Sequence, residues 1–216
     1  MPKTIHGLLL LCTLACVCPA LRAAPVQAPE LEVILEPVIF RGQAEISAVD
    51  VAIRVERSAT SDMPPLRMPH VVTNVETVAA QIEVTASDSR GALRLIAVDE
   101  GKGAEVVRSW HPQRPIQGSL RLRYRAPIGN LLATRGAAPP TELRSEAGAF
   151  SGAGGTFLLL PESTDAYRIS VRWNLAGLPR GAVGVSSFGV GDIVVPGTAP
   201  VERLSRSFFM GGRVGL

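Results

Sequence analysis

Two histidines, two serines beside glycines and one glycine-dense block are the residues of this chain whose types could do chemistry. Zinc hydrolysis needs about three protein ligands and a general base, commonly two histidines one helical turn apart with a glutamate between them. His6 falls in an apolar leader, and His70 and His111 stand 41 positions apart with no partner imidazole beside either. His111, between Trp110 and Pro112, reads as part of a turn. No catalytic residue, metal or cofactor is therefore expected from the spacing.

A serine hydrolase presents its nucleophile in a Gly-x-Ser-x-Gly elbow, where the glycines let a strand turn sharply into a helix. Ser151 has Ala149 two positions before it and Ser187 has Val185, so both miss the pattern and read as serines in turns. A hydrolase using Ser151 or Ser187 with His111 as base stands as the alternative function. The block from Gly148 to Gly155 could offer backbone N–H groups to an anion. No Gly-Lys-Ser/Thr follows it, and it reads instead as a glycine-rich turn feeding a buried strand over 156–160, with glycine tolerating positive φ. The acidic pairs Glu30/Glu32 and Asp99/Glu100 read as solvated carboxylates.

The elements that would position these residues are strands. Val49, Val51, Ile53 and Val55 alternate with Asp50, Ala52, Arg54 and Glu56, the signature of a half-buried strand. The same period recurs in Leu120, Leu122 and Tyr124 against Arg121, Arg123 and Arg125, and in Tyr167, Ile169, Val171 and Trp173 against Arg168, Ser170 and Arg172. Further strands are predicted at 31–36, 81–85, 92–98, 104–108, 156–160, 182–187 and 192–195, each bounded by Gly, Pro, Asp or Ser. With 17 prolines and 21 glycines, no window sustains helical spacing for three turns. About ten short strands predict an all-β fold, an antiparallel sandwich. Segments 58–70 and 127–145 read as long connections.

Met1 to Ala23 has a short polar start with Lys3, an apolar run from Leu8 to Ala20 and a small-residue exit, which reads as a secretory signal peptide. The run is too short to span a bilayer. Leu14-Ala15-Cys16 partly matches a lipobox, which leaves lipid anchoring at Cys16 as the lesser alternative. Cys12, Cys16 and Cys18 all lie in this segment, so the mature chain is expected to be cysteine-free, periplasmic or secreted, and held by its apolar core alone. Residues 24–216 are expected to form a single domain. Loss of Lys3 and Arg22 takes the formal charge from +3 to +1. With ten aromatic residues not interleaved with basic clusters, nucleic acid is not an expected partner. The scattered arginines read as outward strand residues whose stems cover apolar surface and whose charges guard sheet edges.

Read in order, Trp110, the run Arg123 to Pro127, the block Gly148 to Gly152, the run Phe157 to Pro161, Trp173-Asn174-Leu175, the run Ser186 to Gly191 and the run Phe208 to Gly212 resemble a known arrangement. It is similar to the amino-terminal β domain of bacterial PDZ-containing glycyl aminopeptidases, which are gluzincin metallopeptidases, over roughly residues 30–212. The resemblance implies an all-β domain that precedes a thermolysin-like zinc domain and a PDZ domain, packs against the catalytic lobe and forms one wall of the substrate cleft. The zinc-binding helix has no counterpart here, and Asn174 stands where an aspartate is expected, so peptidase activity does not carry over. The expected function is a non-catalytic domain that binds a peptide or a catalytic lobe, with Ser151, Gly152 and Gly154 as candidate substrate-binding residues. A shortened form of a longer metallo-aminopeptidase is a further expectation, since the apolar residues Phe208 to Met210 call for a neighbour.

Overall fold

The structure, a computed structural model, describes residues 28–41, 45–56, 65–72, 74–129 and 141–213. The signal peptide expected at 1–23, with its cysteines, lies outside the described residues, as do parts of both long connections. The described strands, in chain order, are β1 (Glu30–Val38), β2 (Ala48–Val55), β3 (Leu66–Pro69), β4 (Val71–Val72), β5 (Val75–Glu76), β6 (Thr85–Asp88), β7 (Gly91–Leu93), β8 (Leu95–Glu100) and β9 (Val107–Pro112). They continue with β10 (Leu120–Pro127), β11 (Arg144–Glu146), β12 (Ala149–Ala153), β13 (Ala166–Trp173), β14 (Val183–Ser186), β15 (Gly189–Val190), β16 (Ile193–Val194), β17 (Ala199–Pro200) and β18 (Phe208–Gly212). Two single-turn helices, α1 (Gly154–Phe157) and α2 (Glu202–Ser205), complete the set. No helix among the described residues is long and apolar enough to cross a membrane. The fold is all-β and sandwich-like, as the alternation predicts.

The large sheet runs β16-β13-β1-β2-β10-β6-β7, with β17 also on β13. Its ladders are antiparallel except that β13 lies parallel to β1. The register lines up Ile169, Leu31, Val55 and Leu120 in one inward row, Val171, Val33, Ile53 and Leu122 in the next, and Trp173, Leu35, Val51 and Tyr124 in a third. All but the half-buried Trp173 are sealed from water. A one-residue slip would turn these rows to solvent, at about 1.5–3 kcal/mol per large side chain, so the apolar period fixes the register.

Two smaller sheets close the other side of the core: β11-β12-β18-β14-β15 and β3-β9-β8. Phe150 and Phe209 of the five-stranded sheet, Leu66, Met68 and Trp110 of the three-stranded sheet, and the connecting run Phe157 to Leu160 meet the inward rows in one cluster.

The differences from the sequence-based expectation have local causes. The expected strand over 156–160 is instead α1 followed by a buried extended run. The Thr156 hydroxyl donates back to the Ala153 carbonyl, and the Leu159 amide finds the Tyr124 hydroxyl at 2.8 Å in place of a ladder partner. The expected strand at 81–85 yields to a 3-10 turn at Val78–Ala80, capped by Thr77, whose Oγ1 accepts from the Ala79 amide; pairing begins at Thr85. The strand expected at 104–108 starts at Val107 because a 3-10 turn occupies Gly103–Glu105. Its register carries His111 in β9, not in a turn. The run 92–98 is broken at Arg94, where the chain leaves the large sheet for the three-stranded one. The glycine-rich block is a strand too: β12 holds Ser151, and only Gly148 among the block's glycines has positive φ.

Candidate functional site

β12 owes its position to small residues on one side and aromatic rings on the other. Its hairpin with β11 turns through Ala147 and Gly148, both at positive φ, the two-residue geometry that suits strand twist. The Glu45 carboxylate holds that turn, accepting from the Gly148 amide at 2.9 Å and the Ser145 hydroxyl at 3.1 Å. On the inward face Phe150 stands in a row with Gly211 and Gly184. A side chain at Gly184 would collide with Trp173 and one at Gly211 with Phe150 while crowding Trp173, so these two positions let the two rings lie against the sheet. Phe150 also meets Phe157 edge-on at 6.4 Å and Trp173 at 6.2 Å, and Phe157 meets Phe209 edge-on at 5.8 Å.

Tyr124 ties the large sheet to this layer. Its hydroxyl donates to the Phe157 carbonyl at 2.9 Å and accepts from the Leu159 amide. Burial pushes its phenol well above the ordinary tyrosine range, against the pull of that amide.

The three candidate residues divide by face. Gly152 and Gly154 present their Cα atoms inward: a methyl at Gly152 would press on Leu143, and one at Gly154 would fall on the Leu204 carbonyl. Ser151 points outward, and its hydroxyl accepts from Arg144 Nε at 3.2 Å. The register places Ser151 in a row with Met210, Val185 and Val190, and the next residue pair on that face is Ala153 with Phe208. Phe208, Met210 and Val190 are 44%, 37% and 55% exposed. This outward face is apolar where a solvent-facing sheet would alternate to polar residues. The sequence marked Phe208 to Met210 as apolar residues that call for a neighbour, but not that they share a face with Ser151, Val185 and Val190. The signal was the alternation inside Phe208-Phe209-Met210, where Phe209 is buried and its neighbours are not.

The histidines do not converge. The His70 amide donates to the Val106 carbonyl at one end of β9, and His111 lies at the other end, which at about 3.3 Å per residue separates them by roughly 15 Å. They cannot grip one ion together. Among the described residues no cluster of three or more His, Cys, Asp or Glu could hold a metal ion. His70 Nε2 instead lies 3.2 Å from Asp99, which Arg108 holds from its other side with bonds of 2.6 and 2.7 Å. The Arg108 guanidinium lowers the Asp99 carboxyl to about 2. No hydrogen bond joins His111 to Ser151 or Ser187; the Ser187 hydroxyl accepts from the Phe208 amide.

Against solved structures, the fold is similar to part of an aminopeptidase N family protein from Idiomarina loihiensis, with a TM-score of 0.58 and 10% identity over 84% of this chain. An M1 zinc metallopeptidase from Deinococcus radiodurans, crystallised as a mutant with a Tyr-Ser-Ala substrate, aligns over 87% of the chain at 16% identity and a TM-score of 0.47. Yeast LTA4 hydrolase aligns over 86% at 12% identity and 0.41. The chain spans 29%, 42% and 29% of these proteins' lengths. No protein-family profile and no curated protein matches the sequence. All three are much longer than this chain, and the one whose TM-score exceeds 0.5 is the aminopeptidase N family protein.

Proposed function

We propose that this chain is a non-catalytic β domain of an exported, peptidase-like envelope protein, and that the outward face of its five-stranded sheet packs against a catalytic lobe. The observation that carries the reading is the row Ser151, Met210, Val185 and Val190 with Phe208 beside it, which groups three exposed apolar side chains on one sheet face. Faces of this kind mark contact surfaces. The fold shared with a stretch of an aminopeptidase N family protein supports the choice of partner, and the sequence resemblance to PDZ-containing glycyl aminopeptidases narrows it. In this reading Ser151 contributes its hydroxyl to the contact or to the cleft wall, while Gly152 in the same strand and Gly154 at the start of α1 let the backbone beneath it approach Leu143 and Leu204. Peptide bound in the cleft would touch this wall at its edge.

The test is calorimetric titration of the mature chain with the separately expressed zinc lobe of a glycyl aminopeptidase encoded in the same genome. A complex is expected, weakened at least about tenfold by Phe208→Glu with Met210→Glu, and the chain alone is expected not to hydrolyse glycyl substrates with zinc supplied. Hydrolysis by the chain alone, abolished by a chelator, would refute it. Labelling by a fluorophosphonate that is lost in Ser151→Ala would point to the serine-hydrolase alternative instead.

A further inference from the structure

The longest unpaired sheet edge among the described residues is β8, six residues that pair only with β9. Its pairing phase can be read directly. The Gln113 amide donates to the Arg94 carbonyl at 3.0 Å, which makes 94 and 113 a hydrogen-bonded pair. Alternation along the ladder then makes Ile96–His111, Val98–Ser109 and Glu100–Val107 hydrogen-bonded pairs as well, and puts Pro112, which has no N–H, opposite Leu95 at a position that needs none. The backbone N–H and C=O groups of Leu95, Ala97 and Asp99 therefore point away from β9, into solvent. Ile96 and Val98 are 45% and 41% exposed on the outer face of the same strand. An edge with open donors, open acceptors and apolar side chains is a template for another strand.

The residues of this edge are complementary to themselves. Centred on Ala97, an antiparallel pairing of two copies opposes Leu95 to Asp99 and Ala97 to Ala97, so that every residue whose backbone groups point outward meets another of the same kind. The alternate positions then set Ile96 against Val98 of the second copy, and Arg94 against Glu100 of the second copy, each twice by symmetry. Arg94 is exposed. Glu100 has a long contact of 3.5 Å to Arg67 and a half-exposed side chain, which leaves its carboxylate able to accept more. Shifting the register by two residues loses both the Ile–Val and the Arg–Glu pairings. The geometry points to β8 as a self-association edge, through which two copies of this chain join their three-stranded sheets into one continuous sheet. The surface is distinct from the apolar face of the five-stranded sheet and does not depend on the reading proposed for it.

So narrow an interface gives a weak dimer, tested by sedimentation equilibrium and hydrogen exchange on the mature chain from about 10 μM to about 1 mM. The amides of Leu95, Ala97 and Asp99 are expected to gain protection with concentration. Ala97→Pro, which removes an N–H that bonds nothing among the described residues, is expected to leave the circular dichroism unchanged and abolish the dimer. Should that variant fold poorly, the charge pair decides: Arg94→Glu and Glu100→Arg should each weaken dimerisation about tenfold, and the double variant should restore it. A chain that stays monomeric at 1 mM, a dimer that leaves these three amides exchanging freely, or a dimer lost through Phe208→Glu in place of the β8 variants would overturn the proposal.

Discussion

The large sheet and the five-stranded sheet share one core but turn opposite chemistries to the outside. On the large sheet the outward rows carry charge that is matched across strands: Arg125 grips Asp50 with bonds of 2.6 and 2.7 Å, Arg168 and Arg54 share Glu30, and Arg172 meets Glu32 at 2.6 Å. On the five-stranded sheet the outward rows carry Phe208, Met210 and Val190 with a single serine between arginine and methionine. The first face is laced with these ion pairs, and its exposed apolar residue, Val194 of β16 at 72%, stands singly at the sheet's edge. The second face gathers exposed apolar residues from two strands with little charge among them, which is why the contact proposed for this chain is placed there.

The comparison breaks hardest from within. Phe150→Ala removes a fully buried ring that both Trp173 and Phe157 lean on, and should cost about 3–5 kcal/mol in chemical unfolding. If the five-stranded sheet were an independent appendage, only a local loss would be seen and the large sheet would melt unchanged. Tyr124→Phe, at the joint, leaves the buried Leu159 amide without its acceptor and should cost about 1–3 kcal/mol, read the same way.

Acid probes two further ion pairs, Asp88 buried at the end of β6 and Asp99 on β8 of the three-stranded sheet. Arg114 and the amides of Gln117 and Arg90 hold the Asp88 carboxyl well below the usual carboxylate range, and Arg108 with His70 brings Asp99 to about 2. Groups depressed in the folded state stabilise it fully above the unfolded pKa of about 3.9, and that contribution is lost as pH falls through the folded value. Tm should therefore hold level from pH 7 to about 5 and drop below 4, with a shallower drop in Asp88→Asn. A Tm that rises on acidification would contradict the assignment of these carboxylates. Smallest of all, Arg125→Ala should cost under about 1 kcal/mol, and Phe208→Glu with Met210→Glu should change stability by no more than about 0.5 kcal/mol while docking is lost.

Much of the large sheet was legible because β2, β10 and β13 alternate apolar with polar residues, β1 doing so except at Ile34, and burial on one face enforces that period. The outward position of their arginines followed from the same alternation. β12 was not legible, because glycine disfavours strands, and its extended form is imposed by pairing with β11 and the distant β18 and by Phe150 packing against Trp173 and Phe157. The run over 156–160 was read rightly as buried and wrongly as paired, since nothing local announces that a tyrosine 35 residues away will supply its hydrogen bond. For the candidate site, Ser151 could be named but not its orientation. The apolar partners Met210 and Val190 lie far along the chain, and only the register joins them to it.

The most direct measurement is hydroxyl-radical footprinting of residues 24–216 with and without the zinc lobe. The account predicts that Met210 and Phe208 lose labelling in the complex while Ile34, on the outer face of the large sheet, labels as before. Protection of Ile34 with Met210 and Phe208 still fully labelled would contradict it.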